Sequence, residues 1–134
     1  MYEEIPPMDS RRVREKFASQ ISNMLDENSF WDVTGAGFIP GFIVRPDYNC
    51  KLKKNGCEFT KVVYILGDPK GMKGISIAAW NNVEDTKFYN SLINVLGYTV
   101  SSSMEEHLIY IKKPINATKE LIFQLSLLEE LVKK

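Results

Sequence analysis

Cysteine and histidine are the residue types most able to supply a nucleophile, and this chain has few of them. Cys50 and Cys57 are its two cysteines, and His107 is its one histidine. A thiolate–imidazole pair would require one cysteine beside His107, because the imidazole must take the thiol proton. No motif surrounds either cysteine, and the spacing does not bring His107 to them. We therefore expect no catalytic residue here, and two free thiols flanking a hairpin tip.

Carboxylates and a lysine in the middle of the chain suggest metal-dependent hydrolysis. Pro46-Asp47 precedes a predicted strand that contains Glu58 and Lys61. This order is similar to that of the PD-(D/E)xK nucleases. Their chemistry places the acidic residue and the lysine two positions apart, so that both side chains project from one strand face toward the metal. Glu58 and Lys61 are three apart, and Phe59 occupies the matching position, so a divergent nuclease is the alternative rather than the leading interpretation.

Basic residues are concentrated between positions 45 and 73. This stretch has seven basic and three acidic side chains, whereas residues 81–111 have four acidic side chains against one lysine. A basic hairpin tip and a glycine-rich turn would together hold a phosphate backbone or an acidic protein. Lysines at hairpin tips also discourage edge pairing, which is the competing explanation. The candidate anion-binding residues are Lys51, Lys53, Lys54, Lys70 and Lys73.

Aromatic residues near these lysines bear on the same alternative. Exposure of Tyr48, Trp80 or Tyr110 beside the basic stretch would make base stacking credible. Packing over the ends of the core is the other explanation, since such side chains bury large areas. The sequence does not decide between the two.

The predicted last helix has two apolar stripes. One consists of Leu121, Leu125, Leu128 and Val132, and the other of Phe123, Leu127 and Leu131. A helix packed on one sheet needs to bury only the first stripe. The second stripe either fills a groove between the sheet and the first helix or faces another subunit or partner protein. Phe123, Leu127 and Leu131 are therefore the candidate partner-binding residues.

Hydrophobic periodicity predicts the elements that position these residues. We expect helices over 10–27, from 82 to about 96, and from 116 nearly to 134. Strands are predicted over 38–44, 58–66, 74–80, 98–101 and 107–111, with residues 75, 77 and 79 on one face. The fold class is α+β: helix–three strands–helix–two strands–helix, with a mainly antiparallel five-stranded sheet packed by helices. Residues 1–8 are predicted to be a flexible leader, because Pro6-Pro7 enters neither a helix nor a sheet interior, and 9–134 a single domain.

Composition excludes several classes of protein. With 134 residues and 44% apolar side chains, the chain can form one folded domain. One histidine and two cysteines exclude a zinc finger and a disulfide scaffold, and we expect neither metal nor cofactor. The N-terminus is acidic and contains two prolines, unlike a secretory signal, and no apolar run approaches the ~20 residues that span a bilayer. A cytoplasmic protein without membrane contact is the expectation.

The order of elements, together with the size, resembles that of bacterial type III secretion chaperones. The resemblance implies a small, dimeric, non-enzymatic protein that binds partner polypeptides. We therefore predict a non-catalytic protein-binding domain of the adaptor, chaperone or inhibitor type. It would be a homodimer through the last helix or an exposed strand edge. The alternative is a nucleic-acid-binding protein or divergent nuclease that uses the basic 45–73 region.

Overall fold

The computed structural model describes residues 1–25, 29–33, 40–46, 61–80, 86–102 and 108–132. Within these ranges the chain forms three helices and one six-stranded antiparallel sheet. The helices are α1 (Arg11–Met24), α2 (Thr86–Asn94) and α3 (Thr118–Val132). The strands are β1 (Trp31–Val33), β2 (Gly41–Pro46), β3 (Val62–Gly67), β4 (Lys73–Trp80), β5 (Thr99–Ser102) and β6 (Leu108–Pro114). The predicted α+β class is confirmed.

The predicted count of five strands is wrong, because β1 makes a sixth. β1 has only three residues and pairs antiparallel with the end of β2, Trp31 opposite Pro46 and Val33 opposite Val44. Three residues are too few to show the alternation by which a strand is recognised in sequence. The described residues therefore have four strands between α1 and α2, one more than in the element order that resembles the chaperones.

The sheet order is β1-β2-β3-β4-β6-β5. β2, β3 and β4 form the predicted antiparallel meander, and β6 then pairs along β4 from Gly74–Pro114 to Trp80–Leu108. β5 and β6 pair antiparallel, with Val100 opposite Ile111, which places β5 at the outer edge. β2 begins at Gly41 rather than at residue 38, directly after Pro40, because proline has no N–H to give to a ladder.

One face of the sheet carries the core. Ile75, Ile77 and Ala79 are buried on that face, as their predicted alternation requires. Phe17 of α1 packs edge-on against Phe42 of β2, with ring centroids 6.0 Å apart. The buried side chains of all three helices belong to the same hydrophobic cluster as these strand residues. The helices therefore cover this face, and no described helix lies on the other.

The helices begin where local chemistry supplies a cap. Ser10 Oγ accepts a hydrogen bond from the Val13 N–H at 3.2 Å, which satisfies a donor that the first turn of α1 leaves open. α1 ends at Met24, and the predicted end near residue 27 lies outside the described residues, as does the predicted start of α2 at Asn82. No helix in the described part of the chain has the length and apolarity that crossing a membrane requires.

Residues 1–8 differ from the predicted flexible leader, because they pack against the rest of the molecule. Ile5 and Met8 are fully buried. The Ile5 N–H donates to the Asn116 carbonyl at 2.7 Å, and the Met8 N–H donates to the Gly67 carbonyl at 2.6 Å. Pro6-Pro7 keeps the segment out of a helix, but an extended chain with apolar residues on either side of the prolines can still close the end of the core.

Side-chain and backbone groups of three elements hold the same segment. Gln20 of α1 accepts from the Tyr2 N–H at 2.8 Å and donates to the Tyr2 carbonyl at 2.7 Å. The Thr118 N–H at the start of α3 donates to the Glu3 carbonyl at 2.9 Å. The ammonium of Lys73 donates to the Ile5 carbonyl at 3.1 Å. We name residues 2–8 the N-terminal strap, since they tie α1, β4 and α3 together.

Candidate functional site

The outer face of α3 carries Phe123, the one aromatic side chain classed as exposed among those whose burial the structure describes. Phe123 is 55% exposed, whereas Leu121, Leu125 and Leu128 on the inner face are at most 1% exposed. Leu127 follows Phe123 by one helical turn and is half-buried. Exposed Lys119, Ser126 and Glu130 surround the two apolar side chains on the same helix. An apolar centre with a polar rim is the usual composition of a protein-binding surface.

The second predicted stripe is only partly an outer surface. Leu131, its last member, is half-buried and packs against the core cluster. The three predicted partner-binding residues therefore differ in exposure. Phe123 is exposed, Leu127 is half-buried, and Leu131 packs against the core. The fully buried alternative does not hold for Phe123.

α3 is held in place by edge strand β1 and by polar groups on its inner side. The Trp31 indole Nε1–H donates to the Leu125 carbonyl at 2.7 Å, and the Phe30 N–H donates to a carboxylate oxygen of Glu129 at 3.0 Å. Both contacts join residues more than 90 positions apart in the sequence. They fix the angle at which α3 lies on the sheet, and with it the direction in which Phe123 points.

A buried tyrosine lies beneath the other side of α3. The Tyr98 hydroxyl donates to Gln124 Oε1 at 3.3 Å, and Gln124 Nε2 donates to Glu120 Oε1 at 3.0 Å. Burial, and secondarily the negative charge of Glu120, raise the pKa of Tyr98 well above its ordinary value. The Lys113 ammonium lies 5.6 Å from the Tyr98 ring centroid and donates to the Leu96 carbonyl at 2.7 Å. This network positions α3 next to α2.

Two of the five candidate anion-binding residues lie in the part of the chain that the structure describes. Lys51, Lys53 and Lys54 lie outside the described residues. Lys70 is exposed in the turn between β3 and β4, whereas the ammonium of Lys73 is bonded to the N-terminal strap. The structure therefore gives Lys73 a structural contact, and of the five lysines it describes Lys70 and Lys73 only.

Of the residues considered for nuclease or nucleophilic chemistry, Lys61 alone lies in the described ranges. Asp47, Cys50, Cys57, Glu58 and His107 fall outside them. The Lys61 ammonium lies 4.8 Å from the Phe88 ring centroid and 5.9 Å from that of Tyr89. Lys61 thus stacks on aromatic rings of α2, on the helix-covered side of the sheet. Within the described ranges there is no group of three potential metal ligands.

The opposite face of the sheet has a mixed aromatic and basic character, and one of its residues, Tyr110, is among the aromatic residues that the sequence singles out. Tyr64 is opposite Ser76 on β4, and Ser76 is opposite Lys112 on β6. Tyr110 is opposite Ala78, and the Lys112 ammonium is 5.7 Å from the Tyr110 ring centroid. Tyr110 and Lys112 share a face because they are two positions apart on β6, and the strand register places Tyr64 and Ser76 on the same face.

Comparison of the chain with protein-family models, with curated proteins and with solved structures found no significant match.

Proposed function

We propose that this chain is a non-catalytic protein-binding domain of the adaptor, chaperone or inhibitor type, and that it works as a homodimer. The outer face of α3, centred on Phe123, is the surface to which a partner polypeptide docks. The single observation that supports this is the 55% exposure of Phe123 on a helix whose inner face is fully buried.

Exposure of a large aromatic ring has a cost that binding would recover. Apolar surface left in water costs roughly 25 cal/mol for each Å², so an exposed phenylalanine is unfavourable in the free protein. Rigid aromatic side chains are also over-represented among the residues that contribute most to binding energy at interfaces. Leu127 extends the apolar area by one turn, and Lys119 and Glu130 supply charges at its rim.

The first experiment selects random peptides from a display library against the full chain and repeats the selection against Phe123→Ser. We expect enriched peptides whose affinity falls about ten-fold or more in Phe123→Ser, since central interface aromatics carry at least that much binding energy. Met24→Ser is the matched control, because Met24 is also an exposed apolar residue on a helix (36% exposed). Peptides that bind both variants equally would contradict a docking surface at Phe123.

The homodimer is tested by sedimentation equilibrium on the unmodified chain. We expect a species of twice the 15.3 kDa chain mass at micromolar concentration. A chain that stays at 15.3 kDa up to the highest soluble concentration would contradict the dimer and leave the peptide result to decide partner binding.

Nucleic-acid binding remains the second candidate. Tyr110 and Lys112 favour it, because an aromatic ring and an ammonium lie side by side on the face of the sheet that no described helix covers. Bases stack on such rings, and phosphates pair with such ammonium groups. The divergent-nuclease form of this candidate has no support from described residues, since its carboxylates lie outside them.

A further inference from the structure

The two edges of the sheet differ in how they are protected. β1 is three residues long, and its middle residue, Asp32, is an exposed carboxylate. β5 has the sequence Thr99-Val100-Ser101-Ser102, with no charge and no proline. Charges, prolines and short length are the devices by which edge strands avoid pairing with other chains. β1 has two of them, whereas β5 depends on its length of four residues alone.

The outer side of β5 is available for pairing in the described structure. β6 is the neighbour of β5, and the sheet order continues no further on its other side. In an antiparallel ladder every second residue directs its N–H and C=O groups away from the existing neighbour. The Thr99 hydroxyl donates to the Lys112 carbonyl at 3.4 Å and is thereby turned toward β6. The Thr99 side chain therefore does not lie across the outer edge, where the backbone donors and acceptors of β5 have no described strand as a partner.

Apolar side chains beside this edge also remain open to solvent. Val100, opposite the buried Ile111, points to the helix-covered face yet is 48% exposed. Ile93 at the end of α2 is 36% exposed, and Val95 in the connection to β5 is 77% exposed. The Tyr98 N–H donates to the Leu92 carbonyl at 3.0 Å and holds this connection against the end of α2. Residues 93–100 thus place three uncovered aliphatic side chains in the segment that ends on the free edge.

We propose that β5 is the homodimer interface, where it pairs antiparallel with β5 of a second copy about a two-fold axis at Val100. This rests on the homodimer of the proposed function and assigns its surface to the strand edge rather than to α3. In this register Val100 is opposite Val100 of the other copy and Thr99 is opposite its Ser101. The two sheets join into one with both sets of helices on the same side.

A second copy is the partner that the edge fits best. An antiparallel strand is self-complementary, since the same row of donors and acceptors meets itself across a two-fold axis. Without charges on β5, no like charges oppose each other across that axis. Centring the register on Val100 also pairs the one apolar side chain of the strand with itself and covers its exposed surface. A register centred on Ser101 would leave Val100 opposite a serine.

The test uses disulfide trapping in the full chain with Cys50→Ser and Cys57→Ser as background. In the proposed register the two Val100 Cα atoms are about 4.5–5.5 Å apart, within the range that a disulfide spans. Under copper phenanthroline we expect Val100→Cys to form a covalent dimer about ten-fold faster than Thr99→Cys, whose two copies would be offset along the ladder. Phe123→Cys serves as the probe of the α3 surface.

The outcomes separate this inference from the proposed function. Fastest trapping at Phe123→Cys would overturn the strand-edge interface and leave a dimer through α3. Equal and slow trapping at all three positions, with a monomer by sedimentation, would overturn the dimer itself. Equal trapping with a dimer by sedimentation would overturn only the edge.

A second variant tests the same interface without crosslinking. Val100→Lys places a charge at the centre of the two-fold contact, where it would face its own copy, and lysine on an edge strand stays solvated in the monomer. We expect Val100→Lys to sediment as a monomer with an unchanged far-ultraviolet circular dichroism spectrum. A folded Val100→Lys dimer would overturn the proposed interface.

Discussion

At the scale of single residues, Tyr98 is the clearest case of a side chain whose chemistry is set by its surroundings. It is 2% exposed, it donates to Gln124, and the carboxylate of Glu120 lies behind that amide. Its phenol is more difficult to ionise in the folded protein than in the unfolded chain because of burial and the nearby negative charge. In the sequence the same side chain is only the first residue of a predicted strand.

Tyr98 should make stability fall in alkaline solution. Above about pH 10 the tyrosine of the unfolded chain ionises while the folded one stays protonated, so unfolding becomes progressively more favourable. Tyr98→Phe removes this ionisation and also the hydrogen bond to Gln124, which costs about 1 kcal/mol at neutral pH. We expect urea unfolding to show the wild type more stable at pH 7 and its advantage lost above about pH 10. A difference that does not change with pH would contradict the raised pKa.

The exposure of Phe123 and Val100 does not follow from their positions in the sequence. Helical spacing indicates that Phe123, Leu127 and Leu131 share one side of α3. The same spacing occurs on buried and on exposed sides of helices, so it does not predict exposure. Val100 faces the helices, and its burial would be expected from its pairing with Ile111, yet it is 48% exposed, so the described helices do not cover it. Exposure depends on where neighbouring elements end.

At the scale of elements, the N-terminal strap is the part whose role changes most between sequence and structure. Two prolines exclude a helix and a central strand, and both exclusions hold. They do not exclude an extended segment that hydrogen-bonds at the ends of other elements, as Ile5 does with Asn116 and Met8 does with Gly67. The partners of these bonds are about 60 to more than 100 residues away, so no local pattern predicts them.

Shortening Ile5 should destabilise the whole protein. Ile5→Ala removes a fully buried side chain, and such truncations cost about 2–5 kcal/mol through lost burial and the cavity left behind. Glu4→Ala is the control, because Glu4 is exposed in the same segment. Thermal and urea unfolding give the comparison. Equal stability of the two variants would indicate that residues 1–8 are the flexible leader that their prolines suggest.

The strands show which element boundaries a sequence can give. The β-branched run ending at Leu66 and the alternation at 75–79 predict β3 and β4 well, because both are central strands with long ladders. The sequence pattern does not predict β1, because its three residues gain their strand conformation from pairing with β2 and from the hydrogen bond of Trp31 to α3. Strand conformation in a segment this short depends on tertiary contacts more than on propensity.

At the scale of the whole molecule, the net charge and the placement of the charges give different expectations about binding to an anionic partner. The formal net charge is zero, yet the basic residues of the 45–73 stretch outnumber its acidic ones. Among them, Lys61 stacks on Phe88, and the ammonium of Lys73 holds the N-terminal strap. Part of the apparent basic surface is therefore engaged within the fold.

We accordingly expect no nucleic-acid binding by the full chain at physiological salt. Fluorescence anisotropy with a labelled single-stranded oligonucleotide, measured across a salt series, checks this. Binding that weakens steeply with salt, as counterion release requires, and that is lost in Lys112→Glu would move the function to the second candidate. Lys87→Glu is the matched control, since Lys87 is an exposed lysine on α2.

The sequence by itself determined the α+β class, the three helices, the meander and the face of β4 that is buried. These follow from periodicity and turn residues, which act over a few neighbouring positions. Only the tertiary structure decided that the first eight residues close the core, that β5 is the uncharged outer edge, and that Phe123 faces away from the core. Each of these depends on contacts between distant segments, and it is the packing of whole elements that leaves a side chain or a strand edge covered or open.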